Sequence, residues 1–271
     1  MDRSSLRHAL SVDPSSSSDR CFINDQCLFL FLRLWTSNRS LRVDLLEVPK
    51  GFIARKKLFL RKLEEAKLKR EVDEDIIPLL DVMNKIPFIY TTSSCSGRIM
   101  LIDISYSQRK EDSIRLVRWH RTIDFQEFWN IVKEYTPRGV LWLKQEAFIV
   151  AFAVPSIEWA SYLIRLARLF GFKESGIRSI NLATNHIFMD ISSTEKLHTP
   201  ISSHENGLLI TEQYGRYLVE KANSLLIRTK NRLKLLEKIM HKLANLILER
   251  NITNPDELGF KIFNEFLSRR Y

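Results

Sequence analysis

The sequence predicts an α+β fold, with a mixed or antiparallel sheet packed against helices and a long helical segment near the C-terminal end. Strand-like apolar runs are grouped between residues 88 and 210 and do not alternate strictly with helices, which is typical of that class. None of these runs leads into a Gly-x-Gly-x-x-Gly turn, so a Rossmann-type nucleotide-binding fold is not expected. From residue 219 onwards apolar residues recur in steps of three and four, which indicates one long helix.

Size and composition are those of a globular protein with a basic surface. The 271 residues include 45% hydrophobic residues, enough to build a sizeable core. The formal net charge of +10 favours polyanions, such as nucleic acids or acidic lipids, as partners. Membrane insertion is not expected, because the apolar run at 27–32 is much shorter than the ~20 residues that a spanning helix needs.

The cysteines form neither a disulfide framework nor a set with zinc-ligand spacing. There are three, Cys21, Cys27 and Cys95. This usage is typical of a reducing compartment, so we expect a cytoplasmic protein that holds no metal.

Three regions follow one another along the chain. Residues 1–49 begin with a serine-rich stretch and are expected to be a disordered extension that the fold does not need. Residues 50–217 are expected to form the α+β domain, which would carry the active site. Residues 218–271 are expected to form basic C-terminal helices.

Each element of the α+β domain has a local sequence signal. Phe52, Leu58 and Leu63 lie on one side of a helix predicted for 51–70, and Asp73 is suited to cap a second helix that ends near Met83. Further helices are predicted for 125–135 and 157–170. The predicted strands are 88–94, 98–104, 113–119, 139–144, 147–154, 177–182, 186–191 and 207–210.

The long C-terminal helix combines an apolar seam with a basic remainder. We expect the seam to pack against the helix at 51–70 or against a final helix that ends near residue 268 and starts at the capping sequence 254–257. The basic residues can face solvent or bind RNA, and their pattern alone leaves both open. The seam consists of Val219, Ala222, Leu226, Thr229, Leu233, Leu236, Met240, Leu243 and Ile247. The basic residues are Lys221, Arg228, Lys230, Arg232, Lys234, Lys238 and Lys242.

A polar segment between two apolar runs carries the strongest functional signal. It offers a row of hydroxyl groups, a glycine that lets the backbone approach a ligand, and an arginine suited to planar or anionic groups. Taken alone, the pattern predicts a polar hairpin, and a solvated turn with an incidental arginine is the simpler explanation. The segment reads Tyr90-Thr91-Thr92-Ser93-Ser94-Cys95-Ser96-Gly97-Arg98.

This segment resembles the Ser/Thr-x-Ser-Ser-Cys-x-Gly-Arg signature of the wybutosine-synthesis tRNA methyltransferases, the third enzyme class of that pathway. Similar stretches continue in order from about residue 51 to about residue 235. They include 52–57, 72–81, 143–148, 171–177, 199–202 and 209–214. The resemblance implies an S-adenosylmethionine-dependent enzyme, not of the Rossmann type, that methylates nitrogen 4 of a demethylwyosine-type tricyclic base at position 37 of phenylalanine tRNA.

The resemblance also implies roles for individual residues. His120 and Asp75 would be catalytic, because a ring nitrogen that gains a methyl group must lose its proton to a nearby base. For the S-adenosylmethionine site it implies Ser93, Ser94, Cys95, Gly97 and Arg98. For substrate and RNA binding it implies Thr91, Trp119, Lys56, Lys57, Arg228, Lys230, Arg232 and Lys234. Of these, Trp119 would stack on a base of the anticodon loop.

Arguments from the residues themselves leave other functions open. A lone histidine such as His120 is more often structural, and an acidic run such as 73–75 commonly stabilises a helix N-terminus. Cys95 could form a thiol nucleophile with His120, and the protein could also be an RNA-binding module without activity.

The position of His120 gives a geometric expectation. It ends a strand that should run beside the signature strands, so it should approach the segment 93–98. Arg118 and Arg121 flank it and disfavour its protonated form, which favours a neutral base.

Overall fold

This computed structural model describes residues 48–250 with the exception of residue 108, and these residues form two antiparallel sheets and five α-helices. The helices are α1 (Lys50–Leu68), α2 (Ile77–Lys85), α3 (Phe125–Glu134), α4 (Ile157–Leu169) and α5 (Glu212–Arg250). The strands are β1 (Tyr90–Cys95), β2 (Arg98–Ile104), β3 (Ile114–Trp119), β4 (Val140–Glu146), β5 (Ile149–Val154), β6 (Gly176–Asn181), β7 (His186–Ser192), β8 (Leu197–Ser203) and β9 (Gly207–Leu208).

The first sheet has the strand order β1-β5-β7-β6 and the second the order β3-β2-β4-β8-β9. Every pairing among the described strands is antiparallel. The predicted α+β class, with antiparallel strands and no Rossmann fold, is therefore confirmed. The sequence did not reveal β8, because Pro200 and the polar residues around it weaken the strand signal.

Three connections between consecutive strands cross from one sheet to the other. The crossings join β1 to β2 at residues 96–97, β4 to β5 at 147–148, and β7 to β8 at 193–196. They lie side by side, because β1, β5 and β7 are neighbours in one sheet while β2, β4 and β8 are neighbours in the other.

The polar segment at 90–98 is one of these crossings, so the hairpin that its pattern predicts is wrong. Its hydroxyl-bearing residues form strand β1 itself, which pairs with β5, whereas β2 pairs with β3 and β4. The two residues that follow β1 direct the chain into the other sheet instead of reversing it. The backbone N–H of Ser96 donates to Asp73 Oδ2 (2.8 Å), and Gly97 takes a φ of +89°.

Each sheet has its own hydrophobic core, and α5 contributes to both. The first core joins α2, α4 and the later part of α5 to the first sheet, and the second joins α3 and the early part of α5 to the second sheet. All nine residues of the predicted α5 seam are buried. Within the described residues α5 packs mainly on α2, on α3 and on β2 and β4 of the second sheet, and of α1 only Leu63 lies at the rim of the first core. The helix at 51–70 is therefore not the main partner of the seam, and packing against the final helix stays a prediction.

Two predictions fall largely outside the described residues. These are the dispensable extension at 1–49 and the final helix at 255–268, and both stay predictions, as does the domain boundary at 217/218. Val48, at the start of the described part, is half-buried and packs against the first core. Within the described residues, no helix combines the length and the apolar character that crossing a membrane requires.

Candidate active site

A cleft of about 540 Å³ opens where the first sheet meets the second. A volume of this size is typical of small-ligand sites in proteins. The turn before α2, the crossing between β1 and β2, and the end of β3 supply its walls. The lining residues are Asp73, Glu74, Asp75, Ser96, Arg118, Trp119, His120 and Arg121.

Asp73 and His120 form the central pair of the cleft. Asp73 Oδ1 lies 2.6 Å from His120 Nδ1, and Oδ2 accepts the hydrogen bond from the backbone N–H of Ser96. The predicted capping role of Asp73 is wrong, because its side chain bonds the crossing instead of the helix start. A neutral His120 donates its Nδ1–H to the carboxylate, which leaves the lone pair on Nε2.

The other ring nitrogen of His120 is available as a proton acceptor. Nε2 is buried and has no hydrogen-bond partner among the described residues. Burial lowers the pKa of His120, and the nearby positive charges of Lys230, Arg118 and Arg98 lower it further, while Asp73 opposes them. The imidazole is therefore a neutral base at pH 7.

The expectation that flanking charges favour the neutral imidazole of His120 is confirmed for Arg118 but not for Arg121. Arg118 contributes as expected. Arg121 instead donates to both carboxylate oxygens of Glu127, at 2.9 and 3.1 Å. The expected approach of His120 to the signature is also confirmed, since β3 pairs with β2 and Asp73 connects His120 to Ser96.

Lys230 of α5 reaches into the same cleft. Its Nζ donates to Asp75 Oδ2 (2.6 Å) and to Ser96 Oγ (2.8 Å). Asp75, predicted as a catalytic residue, is therefore held in an ion pair, and Asp73 is the acid that contacts His120. No sequence spacing indicates these contacts, because 155 residues separate Lys230 from Asp75.

Cys95 lies close to the central pair. One potential ligand atom from each of Asp73, Cys95 and His120 lies within 4.8 Å of the other two. Burial raises the pKa of the Cys95 thiol, which disfavours the thiolate that a nucleophile needs. Carboxylate, thiol and imidazole are also ligands that Zn²⁺ accepts, and catalytic zinc sites have three protein ligands.

The other signature residues make mostly internal contacts. Gly97 packs against α5, where an added Cβ would lie 2.5 Å from Thr229 Cγ2. Arg98 donates through Nε (2.8 Å) and Nη2 (2.7 Å) to Glu146 Oε2. Thr91 exchanges two hydrogen bonds with the side chain of Asn84. Ser93 is exposed and Ser94 is half-buried, so these two retain hydroxyl groups near the surface.

The residues predicted to bind RNA divide into engaged and exposed ones. Lys56 donates to the carbonyl oxygen of Ile86 (2.5 Å), and burial lowers its pKa to about 8. Arg232 donates to the carbonyl oxygen of Phe170 (3.1 Å). Lys57, Arg228 and Lys234 are exposed.

Trp119 does not present a free ring face. It is 6% exposed, belongs to the second core, and donates its indole N–H to Glu127 (2.7 Å). Stacking on a base would require the ring to leave that core.

Comparisons with known proteins find relatives of this chain in sequence and in structure. Residues 54–242 match the family model described as Methyltransferase TYW3. A Pyrococcus furiosus protein named tRNA(Phe) 7-((3-amino-3-carboxypropyl)-4-demethylwyosine(37)-N(4))-methyltransferase 1 is 37% identical over 193 residues, which is 71% of this chain and 96% of that protein. A Pyrococcus horikoshii protein of the same name is 38% identical over 188 residues, 69% of this chain and 93% of that protein.

A solved structure agrees with these sequence matches. The PH1069 protein from Pyrococcus horikoshii superimposes with a TM-score of 0.65 at 36% identity, over 70% of this chain and 96% of that protein. The Asp73–His120 pair, Cys95 and Lys230 all fall inside the residues that the family model matches.

Proposed function

We propose that this chain, which belongs to the Methyltransferase TYW3 family, is a tRNA methyltransferase. Its substrate would be nitrogen 4 of 7-(3-amino-3-carboxypropyl)-4-demethylwyosine at position 37 of tRNA(Phe). The single structural observation that supports this proposal is the Asp73–His120 pair. It sets an unpartnered ring nitrogen beside the signature crossing, at the edge of an open cleft.

His120 acts as the base in this proposal. The ring nitrogen of the substrate would take the methyl group from the sulfonium sulfur of the donor, which would leave as a neutral thioether, and the nitrogen would lose one proton to His120 Nε2. Asp73 fixes Nδ1 as the protonated nitrogen and stabilises the imidazolium that forms. Because Nε2 is covered in this conformation, a neighbouring side chain must move before the substrate reaches it.

S-adenosylmethionine supplies an already activated methyl group when it is bound. The cleft offers this donor carboxylates and guanidinium groups, and the hydroxyl groups of Ser93 and Ser94 lie outside its lining, on the strand that leads to Ser96. Glu74 and Asp75 can accept hydrogen bonds from ribose hydroxyls, while Ser93, Ser94 and Arg98 can bind the amino-acid carboxylate. Arg98 would then share its guanidinium with Glu146.

Two other functions find less support. An RNA-binding module without activity would not need an oriented Asp–His pair. A thiol enzyme based on Cys95 is disfavoured by the raised pKa of the thiol. The cytoplasmic location expected from cysteine usage stays a prediction.

Mass spectrometry of tRNA nucleosides tests the proposal. Purified protein, S-adenosylmethionine and tRNA(Phe) that carries the unmethylated base are incubated together. We expect the tricyclic nucleoside to gain one methyl group in this reaction and not with heat-denatured protein. Tight binding of both reactants without any methylated product would favour the non-enzymatic module.

Metal removal tests the expectation that the site holds no metal. We expect EDTA treatment to leave the methylation rate unchanged, because the proposed steps use only Asp73 and His120. Elemental analysis of the purified protein should find zinc well below one equivalent per chain. Loss of activity with EDTA and its recovery with Zn²⁺ would instead assign Asp73, Cys95 and His120 to a metal site.

A further inference from the structure

The second sheet has one face that does not belong to its hydrophobic core. Ile99 and Leu101 of β2 and Leu141 and Leu143 of β4 point into the second core, together with α3 and α5. Alternate residues of a strand point to opposite faces, so the residues between them form the other face. This outer face belongs to none of the hydrophobic clusters of the described residues.

The strand register arranges the outer face in rows across four strands. One row consists of Arg118, Met100, Lys144 and His198, and the next consists of Arg115, Ile102, Trp142 and Pro200. Neighbouring strands are about 4.8 Å apart, so each row extends over about 14 Å. A row of that length can contact more than one nucleotide.

The outer face is positively charged. Arg115, Arg118 and Lys144 form no ion pair with a carboxylate among the described residues, and both arginines are exposed. Glu146 is on the same face, but Arg98 neutralises it at 2.7 Å. The unpaired charge is therefore basic, which complements a polyanion.

An aromatic ring lies among these charges. Trp142 is half-buried, and Lys144 Nζ lies 5.9 Å from the centroid of its ring. A sheet surface that combines basic side chains with an accessible aromatic ring is a recurrent platform for single-stranded nucleic acid, because phosphates bind the charges and bases stack on the ring.

The outer face leads into the cleft. Arg118 belongs to the face and also lines the cleft, and His120 follows two residues later on the same side of the chain. A strand of RNA on this face would therefore pass the ring that takes the proton.

We propose that the outer face of the second sheet binds the unpaired anticodon-loop nucleotides that flank the methylated base. Their phosphates contact Arg115, Arg118 and Lys144, and a neighbouring base stacks on Trp142. This inference rests on the proposed function and adds the surface that recognises the RNA. It differs from the basic face expected on α5, where Lys230 and Arg232 are engaged in contacts within the protein.

Charge-removing variants separate the two surfaces. Arg115→Gln combined with Lys144→Gln removes two charges from the sheet and leaves the cleft residues in place. Arg228→Gln combined with Lys234→Gln removes two exposed charges from α5 and is the matched control. Binding of tRNA(Phe) is measured for each protein as a function of salt, together with the rate of methylation at saturating tRNA.

The sheet variant is expected to bind tRNA more weakly and to lower the slope of log K against log salt by about 1.4, or about 0.7 per phosphate contact. Its methylation rate at saturating tRNA should equal that of the wild type. The α5 control should keep the wild-type slope. Trp142→Leu should weaken binding by roughly five- to 150-fold without changing the slope, because stacking involves no counterions.

The opposite pattern would overturn the inference. If the sheet variant binds like the wild type and the α5 control loses affinity and slope, the RNA surface lies on α5 and the proposed function stands. If the wild-type protein fails to bind or methylate tRNA at all, the proposed function fails and this surface fails with it. Matching thermal unfolding curves exclude misfolding of the variants as the cause.

Discussion

Replacing His120 with alanine is expected to slow methylation by ~10²–10⁴-fold, the usual contribution of a general base, while affinity for S-adenosylmethionine and tRNA stays near that of the wild type. The substitution removes the proton acceptor and its hydrogen bond to Asp73, while the hydrogen bond from Ser96 can still hold Asp73 in place. His120→Gln keeps polarity and similar size but cannot titrate, so it should be impaired to a similar degree. Single-turnover kinetics with saturating substrates measure the effect.

The pH dependence of kcat gives an independent readout. Because the pKa of His120 is lowered, the ring should stay neutral to below about pH 6.5, and kcat should fall only as the pH drops through that lowered value. Asp73→Asn removes the charge that raises this pKa. The acidic limb should therefore move to still lower pH, and kcat should fall with KM little changed, because Asp73 positions the ring.

A different outcome would change the assignment. If His120→Ala loses donor affinity and keeps its rate at saturation, His120 is a binding residue and Asp75 becomes the leading base. If neither His120 nor Asp73 affects kcat or its pH profile, the pair has a structural role.

Gly97→Ala is expected to lower the free energy of unfolding by ~2–5 kcal/mol. An L-residue at a φ of +89° is strained by ~1–2 kcal/mol, and overpacking against Thr229 Cγ2 adds ~1–3 kcal/mol. The carbonyl oxygen of Glu146 and the N–H of Phe148 lie at 3.2 and 3.3 Å from the added Cβ and limit any adjustment. Urea denaturation followed by circular dichroism measures the change.

Two further variants separate the strain from the overpacking. Thr229→Ser removes Cγ2, so Gly97→Ala should cost less in that background but should still be unfavourable. Gly176→Ala is the matched control, because an added Cβ there meets nothing within 4 Å, and it should change stability by less than ~0.5 kcal/mol. A Gly97→Ala protein as stable as the wild type would contradict the close packing at this crossing.

Local patterns in the sequence predicted most elements but not their partners. Burial on one side of a helix leaves a periodic trace, and for this reason all nine seam residues of α5 were predicted correctly. Strand pairing depends on distant residues instead. β1 pairs with β5, which lies more than 50 residues further along the chain, and no feature of the segment 90–98 indicates that partner.

The candidate site was predictable to a similar extent. His120 could be placed near the signature, because β3 and β2 are consecutive strands that pair. Asp73 could not be distinguished from Asp75, since an acidic run before a helix has one local explanation for all its members. The contacts that Lys230 and Arg232 make within the protein could not be predicted either, because their partners are far away along the chain.

Because α5 contributes to both hydrophobic cores, it couples the two sheets of the described chain to each other. The helix is 39 residues long, about 58 Å, and its burial is complete only when both sheets are folded. Neither sheet can then open by itself without exposing apolar residues of the helix to water. Thr229 and Lys230 lie on α5 between its contributions to the two cores, where they contact the signature crossing. The arrangement of the cleft residues therefore depends on the folding of both cores. A substitution that destabilises either core should also disturb the cleft.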